Sequence, residues 1–250
     1  GSGKITKVEM RGIPHHLLDV ADPKKVFTVA EYKTLAEQAI SEILAKGRVP
    51  IICGGTGFYI DTVVNGIEYP DVPANQKLRN MLSKKSAEAL FIMLQKLDPK
   101  RAKTIDAQNK VRLIRAIEIA RALGSVPKTK SKKRFDVLTI GLDLPDEVLK
   151  EKISARLLSR ITKGMVAEVR RLHKNGVSWK RLFALGLEYR IISLYLQNKL
   201  SKKEMITTLE HEIWQYVRRQ RAWFRRDKEV RWFEPKDLKL IGLEVENFLK

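Results

Sequence analysis

The chain has 250 residues, of which 44% are hydrophobic and 31% are charged, so it can bury a sizeable core and is not a disordered chain. Cys53 is the only cysteine, which excludes a disulfide framework and a cysteine zinc site. No apolar run approaches the roughly 20 residues of a membrane span, and we expect a cytoplasmic protein. The net charge of +20 is unevenly distributed: residues 1–99 carry +2 (13 basic minus 11 acidic), and residues 100–250 carry +18 (36 minus 18). The strongly basic later part of the chain favours nucleic acid over acidic lipid as a partner.

The first predicted elements are a helix, a strand, a glycine turn and a second helix. Apolar residues recur at three- and four-residue steps over residues 29–46, and Gly47 is a stop signal. The continuous apolar run at residues 49–53 predicts a strand buried on both faces of a parallel sheet. The sequence Gly-Gly-Thr-Gly follows at residues 54–57, and a helical pattern resumes over residues 58–64. This order is typical of an α/β protein.

The middle of the chain is predicted to be a helical insertion. Helical patterns cover residues 76–97 and 109–123, and residues 128–134 form a basic connector. The strand pattern of residues 135–144 then returns the chain to the first sheet. The predicted organisation is an α/β core with C-terminal helices, residues 1–70 and 135–250, and a helical insertion subdomain, residues 71–134.

The last part of the chain is predicted to be helical and basic. A long helix starts after Pro145 and runs to about His173, and further helices cover residues 188–196 and 202–226. A short strand at residues 230–233 precedes a last helix. The parallel core is therefore expected to carry a basic helical C-terminal part.

The Gly-Gly-Thr-Gly turn is the first candidate site. It follows the predicted strand, where α/β proteins place ligands because the next helix directs its first backbone N–H groups outward. The glycines let an anion approach the backbone, and Thr56 adds a hydroxyl group. An ordinary strand-to-helix turn is the alternative interpretation.

The start of the chain offers weaker signals. Residues 1–4 read Gly-Ser-Gly-Lys, which fits either a tag or the last part of a phosphate-binding loop of the form G-x-x-x-x-G-K-[ST]. Ile5 stands where that loop needs Ser or Thr, which favours the tag. His15 and His16 are adjacent and would point to opposite faces of an extended segment, so we predict no metal site there.

Two basic helices are candidate anion-binding surfaces. Lys152, Arg156 and Arg160 recur every four residues along one helix face, where a guanidinium can clamp a diphosphate through paired hydrogen bonds. Residues 214–226 interleave aromatic residues with five arginines, a pattern with which RNA-binding proteins contact phosphates and stack on unpaired bases. A solvated helix face is the alternative for both.

Four motifs in order resemble the tRNA dimethylallyltransferase (tRNA isopentenyltransferase) family: residues 12–19, 50–60, 109–118 and 217–225. The resemblance implies a P-loop NTPase-like parallel sheet core with a helical insertion subdomain and a channel that the flipped base and the diphosphate enter from opposite sides. It also implies transfer of a dimethylallyl group from dimethylallyl diphosphate to N6 of the adenosine 3′-adjacent to the tRNA anticodon, with Mg²⁺ as cofactor. The base must leave the stack because a stacked adenine cannot present N6 to a buried carbon electrophile.

The resemblance also assigns residue roles. It implies that Thr56 and Arg156 are catalytic, with Thr56 beside the reacting base and Arg156 on the diphosphate. Gly3 and Lys4 would join Arg156 in binding the diphosphate if residues 1–4 are part of the phosphate loop. Residues 179–183 are a further candidate contact with the tRNA. The tRNA-binding residues implied by position are Thr56, Arg79, Arg112, Arg115, Arg218, Arg219 and Gln220.

The chain departs from the family pattern at its start. The family carries a complete phosphate loop and then a Ser-x-Asp-Ser segment, whose Asp is the expected general base for the N6 amine; neither occurs in this sequence. We therefore expect a truncated or incompletely recorded chain with little transferase activity, and a monomer that retains its tRNA contacts. The alternatives are a P-loop kinase-like phosphotransferase, which would leave the basic later part without a partner, and a noncatalytic RNA-binding module.

Overall fold

The computed structural model describes residues 3–250, which fold as two compact units. Unit 1 joins the part of the chain up to Val64 with Phe135–Lys250, and unit 2 is Asn65–Arg134. Within residues 3–250, every helix is too short or too polar to cross a membrane.

The first part of unit 1 contains helices α1 (Val29–Leu44) and α2 (Gly57–Val64), as the periodicity predicted. Thr28 caps α1 in a reciprocal arrangement: its hydroxyl accepts the N–H of Glu31 at 3.2 Å, and the Glu31 carboxylate accepts the N–H of Thr28 at 2.6 Å. The apolar face of α1 packs against Val63 of α2, which anchors the helix that follows the glycine turn.

Unit 2 is built around the helices α3 (Gln76–Ser83), α4 (Ala87–Leu97), α5 (Pro99–Ala102) and α6 (Lys110–Leu123). The single helix predicted over residues 76–97 is therefore wrong. Its break occurs because the Ser86 side chain accepts the N–H of Ala89 at 3.2 Å and starts a new helix. The helices enclose a core of fully buried leucines and isoleucine: Leu82, Leu90, Leu94, Leu113 and Ile117.

The second part of unit 1 begins with strand β1 (Ile140–Leu142) and continues through a series of helices. The long helix predicted to reach His173 is two helices, because Gly164 between them has a left-handed backbone with φ of 94°. The helices of this part are α7 (Asp146–Thr162), α8 (Met165–Lys174), α9 (Trp179–Leu185), α10 (Leu187–Leu196) and α11 (Lys202–Phe224). Their core contains Leu157, Val169, Leu182, Ile192, Met205 and Leu209.

Strand β2 (Arg231–Phe233) pairs in parallel with β1, and helix α12 (Leu238–Leu249) follows. Gly141 of β1 lies opposite Trp232, and a Cβ atom on Gly141 would lie 2.6 Å from the indole ring. Only glycine fits under that ring. The strand predicted at residues 230–233 is confirmed.

The buried strand predicted at residues 49–53 is wrong. These residues form neither helix nor strand, and Ile51 is 86% exposed. A parallel strand needs a hydrogen-bonded neighbour, and in the part of the chain that the structure describes β1 and β2 pair only with each other. For the same reason the strand predicted over residues 135–144 shrinks to the three residues of β1.

Candidate nucleic-acid interface and transfer site

Thr56 lies immediately before α2, at the end of the glycine turn. Its carbonyl oxygen accepts hydrogen bonds from the N–H groups of Tyr59 at 2.9 Å and Ile60 at 3.2 Å, which starts the helix. Its hydroxyl oxygen lies 3.2 Å from the hydroxyl of Tyr216 on α11. Thr56 is exposed, so its hydroxyl is available at the surface while α11 fixes its position.

Helix α11 holds the glycine turn at two further points. The Gln220 side-chain amide donates to the carbonyl oxygen of Gly55 at 2.8 Å, and the Trp223 indole N–H donates to Asp61 of α2 at 3.0 Å. Tyr216, Gln220 and Trp223 are spaced by four and three residues and so share one helix face. The spacing was visible in the sequence, but it carried no sign that this face meets the turn.

Two glycines of the turn lie close to side chains of α11. A Cβ atom on Gly55 would lie 1.9 Å from the Gln220 amide nitrogen, and one on Gly57 would lie 2.1 Å from the Trp223 ring. A Cβ atom on Gly54 would meet open space. The glycines therefore serve the packing of the turn against α11 as well as its exposed side.

Asp61 is the carboxylate nearest to the turn in sequence on α2. Burial raises the pKa of Asp61 above its ordinary value, and the hydrogen bond from Trp223 and the charge of Arg226 offset part of that rise. The Arg226 guanidinium lies over the Trp223 ring, 4.3 Å from the ring centroid. Asp61 thus fixes the indole that packs against Gly57.

The arginines of α11, which the sequence analysis treated as one set, have different surroundings. Arg218 and Arg219 are exposed and make no ion pair with the residues that the structure describes. Arg221 is 16% exposed and donates to Asp143 at 2.6 and 2.9 Å and to Asp146 at 2.5 Å. Arg218 and Arg219 therefore remain candidates for binding phosphate, whereas Arg221 ties α11 to the end of β1 and the start of α7.

Asp143 was not identified from the sequence. Burial alone would raise the pKa of Asp143, but the hydrogen bonds and charge of Arg221 outweigh it and hold this pKa below its usual value. Arg225 also contacts Asp143, at 3.1 Å. The sequence offered one signal for Asp143: it is an acidic residue at the end of a predicted strand, and an arginine-rich helix that could supply its partner follows later in the chain.

The basic residues along one face of α7, Lys152, Arg156 and Arg160, also differ in their surroundings. Arg156 is exposed, and no hydrogen bond or ion pair within residues 3–250 joins it to Thr56, Gly3 or Lys4. Arg160 is paired with Glu188 at 2.5 Å, and its guanidinium lies 2.8 Å from the position of a Cβ atom on Gly3. The structure thus places Gly3 beside Arg160.

Lys4 is engaged by a carboxylate, because it forms an ion pair with Asp19. Gly1 and Ser2, the first half of the predicted loop remnant, lie outside the described residues. Neither of the two surface cavities described, one along residues 20–35 and one along residues 72–78 and 118–122, is lined by Thr56 or Arg156. The channel that the resemblance implies stays a prediction.

The candidate tRNA contacts of unit 2 surround one buried carboxylate. Glu118 of α6 accepts hydrogen bonds from Arg79 Nε and Nη2 at 2.9 and 2.7 Å, from Arg115 Nη1, and from the N–H of Asn75 at 2.7 Å. Arg112 is exposed. Burial would raise the pKa of Glu118, but these donors outweigh it and lower the pKa to about 2. Sequence reasoning singled out the arginines and missed the acid that joins them.

Residues 179–183 contact the N-terminal part of unit 1. Arg181 Nε donates to the carbonyl oxygen of Pro23 at 2.8 Å, and Arg181 Nη2 donates to that of Lys25. Trp179 stacks on His173 with ring centroids 3.6 Å apart. The predicted contact of this segment with tRNA stays a prediction.

Metal-binding side chains are not clustered in the described part of the chain. Residues 3–250 hold no group of three or more His, Cys, Asp or Glu side chains placed to ligate a metal ion. His15 and His16 are both exposed, and His15 Nδ1 lies 2.8 Å from the carbonyl oxygen of Ile13. Ile5, which follows Lys4, has no side-chain oxygen with which to ligate Mg²⁺, so the described residues around Lys4 do not fit a protein-held magnesium site.

Comparison with known proteins places this arrangement in a family. The family described as IPP transferase matches residues 1–227. A tRNA dimethylallyltransferase 1 of Syntrophus aciditrophicus is 35% identical over 259 residues, covering 100% of this chain and 85% of the relative. A tRNA dimethylallyltransferase 2 of Bacteroides fragilis is 38% identical over 258 residues, covering 100% of this chain and 83% of the relative.

Solved structures agree with the sequence comparisons. The full-length tRNA isopentenylpyrophosphate transferase of Bacillus halodurans has a TM-score of 0.70 and 33% identity, with 99% of this chain and 81% of that chain covered. A eukaryotic dimethylallyltransferase acting on tRNA has a TM-score of 0.77 at 22% identity over 94% of this chain and 63% of that chain, a likeness of fold alone. The predicted fold class is confirmed. The resemblance found in the motifs is confirmed as well, and the chain belongs to the IPP transferase family.

Proposed function

We propose that the protein is a prenyltransferase that moves a dimethylallyl group from dimethylallyl diphosphate to N6 of the adenosine 3′-adjacent to the tRNA anticodon. The observation that carries this proposal is the IPP transferase match over residues 1–227, with relatives of 33–38% identity named tRNA dimethylallyltransferases or tRNA isopentenylpyrophosphate transferase. A tRNA substrate implies a cytoplasmic protein, and we propose that it acts as a monomer.

The reaction exchanges one bond for another. The bond between the allylic carbon and the diphosphate oxygen breaks and diphosphate leaves with the electron pair; the bond between that carbon and N6 forms, and N6 releases a proton to solvent. Allylic cation character develops on the carbon while negative charge develops on the leaving oxygens, so groups that bind diphosphate stabilise the transition state.

Thr56 and Arg156 are the residues proposed to act at the reacting groups. The exposed Thr56 hydroxyl stands at a helix N-terminus and is held by Tyr216 of α11, which supports a contact with the flipped adenosine. Arg156 keeps an exposed guanidinium that suits paired hydrogen bonds to a diphosphate. Gly3 and Lys4 are proposed to bind the diphosphate too, which requires Lys4 to leave Asp19.

We propose that each unit, taken by itself, contributes arginines that contact the tRNA. Arg218 and Arg219 are supported by their exposure and by the absence of an ion pair to the described residues, and Arg112 is exposed as well. The side chains of Arg79 and Arg115 are 37% and 36% exposed. Gln220 holds Gly55 through its amide nitrogen, which leaves its carbonyl oxygen for a contact with the RNA.

We propose that Mg²⁺ binds together with the diphosphate and is not held by a site made of protein side chains alone. Magnesium in phosphate chemistry usually keeps several waters and binds through substrate oxygens, so it does not require an all-protein site. It would supply positive charge to the leaving group. We assign no step of the reaction to it.

The test begins with binding of an anticodon stem-loop RNA to residues 1–250. We expect a dissociation constant that rises with salt, because arginine contacts displace counterions from phosphate, and tighter binding when the adenosine next to the anticodon is unpaired. A kinase-like phosphotransferase would bind weakly and without regard to the unpaired adenosine.

Transfer of a labelled dimethylallyl group to the same RNA tests the chemistry. Arg156→Ala should weaken binding of dimethylallyl diphosphate more than binding of RNA, and Arg219→Ala should do the reverse. Equal losses in both assays would contradict the division of roles. Binding of RNA with no transfer, even after a family-type phosphate loop and Ser-x-Asp-Ser segment are added, would favour a noncatalytic RNA-binding module.

A further inference from the structure

One acid in unit 2 joins two arginines that the sequence analysis assigned separately to RNA binding. Glu118 is 2% exposed; its Oε1 accepts a hydrogen bond from Arg79 Nε, and its Oε2 accepts hydrogen bonds from Arg79 Nη2 and Arg115 Nη1. Resting on the proposed function, we propose that Glu118 is a positioning residue that holds Arg79 and Arg115 as a preformed pair of guanidinium groups for the phosphate backbone of the tRNA.

The geometry leaves both guanidinium groups able to bind a further anion. Arg79 meets Glu118 through Nε and Nη2, so its Nη1 group is not used by the acid. Arg115 meets it through Nη1, so its Nη2 and Nε groups are not used by the acid either. The two side chains remain 37% and 36% exposed, compared with 2% for the carboxylate. Each arginine is thus anchored by Glu118, keeps N–H donors that the acid does not use, and has a partly exposed side chain.

The charges favour an anion as the occupant. Two guanidinium groups and one carboxylate give the cluster a net charge of +1 (2 minus 1). The donors around Glu118 lower its pKa to about 2, so the carboxylate stays ionised and the pair stays anchored at physiological pH. A phosphate oxygen with its negative charge matches the remaining N–H donors.

Anchoring the arginines before RNA binds has an energetic consequence. A free arginine side chain loses rotamer freedom when it binds a phosphate, and that loss weakens binding. Here the hydrogen bonds to Glu118 fix the side chains in the free protein. The backbone N–H of Asn75, at the start of α3, also donates to Glu118, so the pair is held on the scaffold of two packed helices.

Two other roles for Glu118 make different predictions. If Glu118 only joins α3 to α6, its loss lowers the stability of unit 2 and leaves RNA affinity of the folded protein unchanged. If RNA binding depends only on net positive charge, removal of an acid tightens binding. Positioning predicts the opposite sign: loss of the acid weakens binding although the protein becomes more positive.

The experiment measures the dissociation constant of anticodon stem-loop RNA for the 250-residue chain and its Glu118→Gln variant, together with their melting temperatures. We expect the variant to bind about fivefold to tenfold more weakly, the effect of disturbing a charge-assisted contact. Asp71→Asn is the matched control, because Asp71 is an exposed acid in the same unit and its change alters net charge equally. It should not weaken binding.

A second pair of variants decides the question if Glu118→Gln does not fold. Arg79→Lys keeps the charge but loses the two-point contact with Glu118, so we expect it to weaken RNA binding. Arg121→Lys, at an exposed position on α6, is its control and should retain the wild-type affinity. Equal affinities for Arg79→Lys and Arg121→Lys would overturn the proposal.

The outcomes separate this inference from the proposed function. If the wild-type chain does not bind the stem-loop, the proposed function fails and the pair loses its ligand. If the wild type binds but folded Glu118→Gln binds equally or more tightly, the inference alone fails. A double variant of Glu118→Gln and Arg79→Lys should lose less affinity than the sum of the single losses, because both act on one contact.

Discussion

Helices α6 and α11 are both rich in arginine, yet their buried charges are arranged in opposite ways. In α6 a buried acid, Glu118, forms ion pairs with Arg79 of α3 and with Arg115, and the three side chains together have a net charge of +1 (2 minus 1). In α11 a partly buried arginine, Arg221, pairs with Asp143 and Asp146, and this group has a net charge of −1 (1 minus 2) before the exposed Arg225 is added. We therefore expect Arg79 and Arg115 to remain able to bind an anion, whereas Arg221, which is paired with two acids, stabilises the fold.

The largest effect should come from Arg221. Its replacement by alanine leaves Asp143 partly buried without its main partner, which we expect to lower the free energy of unfolding by about 2 kcal/mol. Urea unfolding followed by circular dichroism measures this. Arg219→Ala is the control and should change stability by less than about 0.5 kcal/mol, because Arg219 is exposed. Equal stability of the two variants would show that the paired Arg221 contributes no more to the stability of the fold than the exposed Arg219.

Gly57 tests whether α11 fixes the glycine turn. A Cβ atom on residue 57 would meet the Trp223 ring at 2.1 Å, so Gly57→Ala should destabilise the protein by about 1–2 kcal/mol through overpacking. Gly54→Ala, where a Cβ atom meets open space, should stay within about 0.5 kcal/mol of the wild type. Thermal unfolding compares them. A turn that tolerates both substitutions would not be held by Trp223.

Arg218 and Arg219 test the exposed side of α11. Replacing both with alanine should weaken binding of the stem-loop RNA about tenfold and make the salt dependence shallower, because fewer counterions are released. The melting temperature should be unchanged, since neither side chain is paired with a described residue. An altered melting temperature with unchanged RNA affinity would show that Arg218 and Arg219 stabilise the fold, as Arg221 is expected to do, and do not bind RNA.

The smallest effect should come from Tyr216. Tyr216→Phe removes the hydroxyl that lies 3.2 Å from Thr56, and we expect a loss of at most about 1 kcal/mol of stability, the usual value of one hydrogen bond. In the transfer assay, carried out with the family's phosphate loop and Ser-x-Asp-Ser segment added to the chain, the same variant should lower the turnover number more than it changes the RNA dissociation constant. The reverse result would make Tyr216 an RNA contact.

Local sequence signals predicted most helices but not the breaks within them. The helices α1, α2, α6 and α11 followed from periodicity, with Asn109 and Ser201 as caps. The break at Ser86 and the break at Gly164 were missed, because an apolar pattern continues across both while a side-chain cap or a left-handed glycine interrupts the backbone. Boundaries of this kind depend on hydrogen bonds that hydrophobic spacing does not report.

The strand predicted at residues 49–53 failed for a different reason. Its composition is that of a buried strand, but a strand exists only with a partner, and partners are set by the rest of the chain. By contrast, β2 was predicted from four residues and formed because β1 lies beside it. Strand identity was therefore less predictable than helix identity in this chain.

The candidate site was predicted residue by residue but not contact by contact. Motif resemblance supplied Thr56, Arg156 and the arginines of α6 and α11 as candidates, and their roles stay predictions. Tyr216, which contacts Thr56, and Glu118, which contacts Arg79 and Arg115, were found only in the structure, because Tyr216 is 160 residues from Thr56 and Glu118 is 39 residues from Arg79 in sequence. Spacing along a helix shows which residues share a face, but not what that face touches.

The contacts of Arg181 with Pro23 and Lys25 bear on the order in which the protein assembles. They close loops of 158 and 156 residues, so the N-terminal segment cannot reach its final place until α9 has been synthesised. Contacts of such long range form slowly, because much chain entropy is lost before they are made. We therefore expect docking of this segment to be among the last folding steps, and the growing chain to expose it on the ribosome until then.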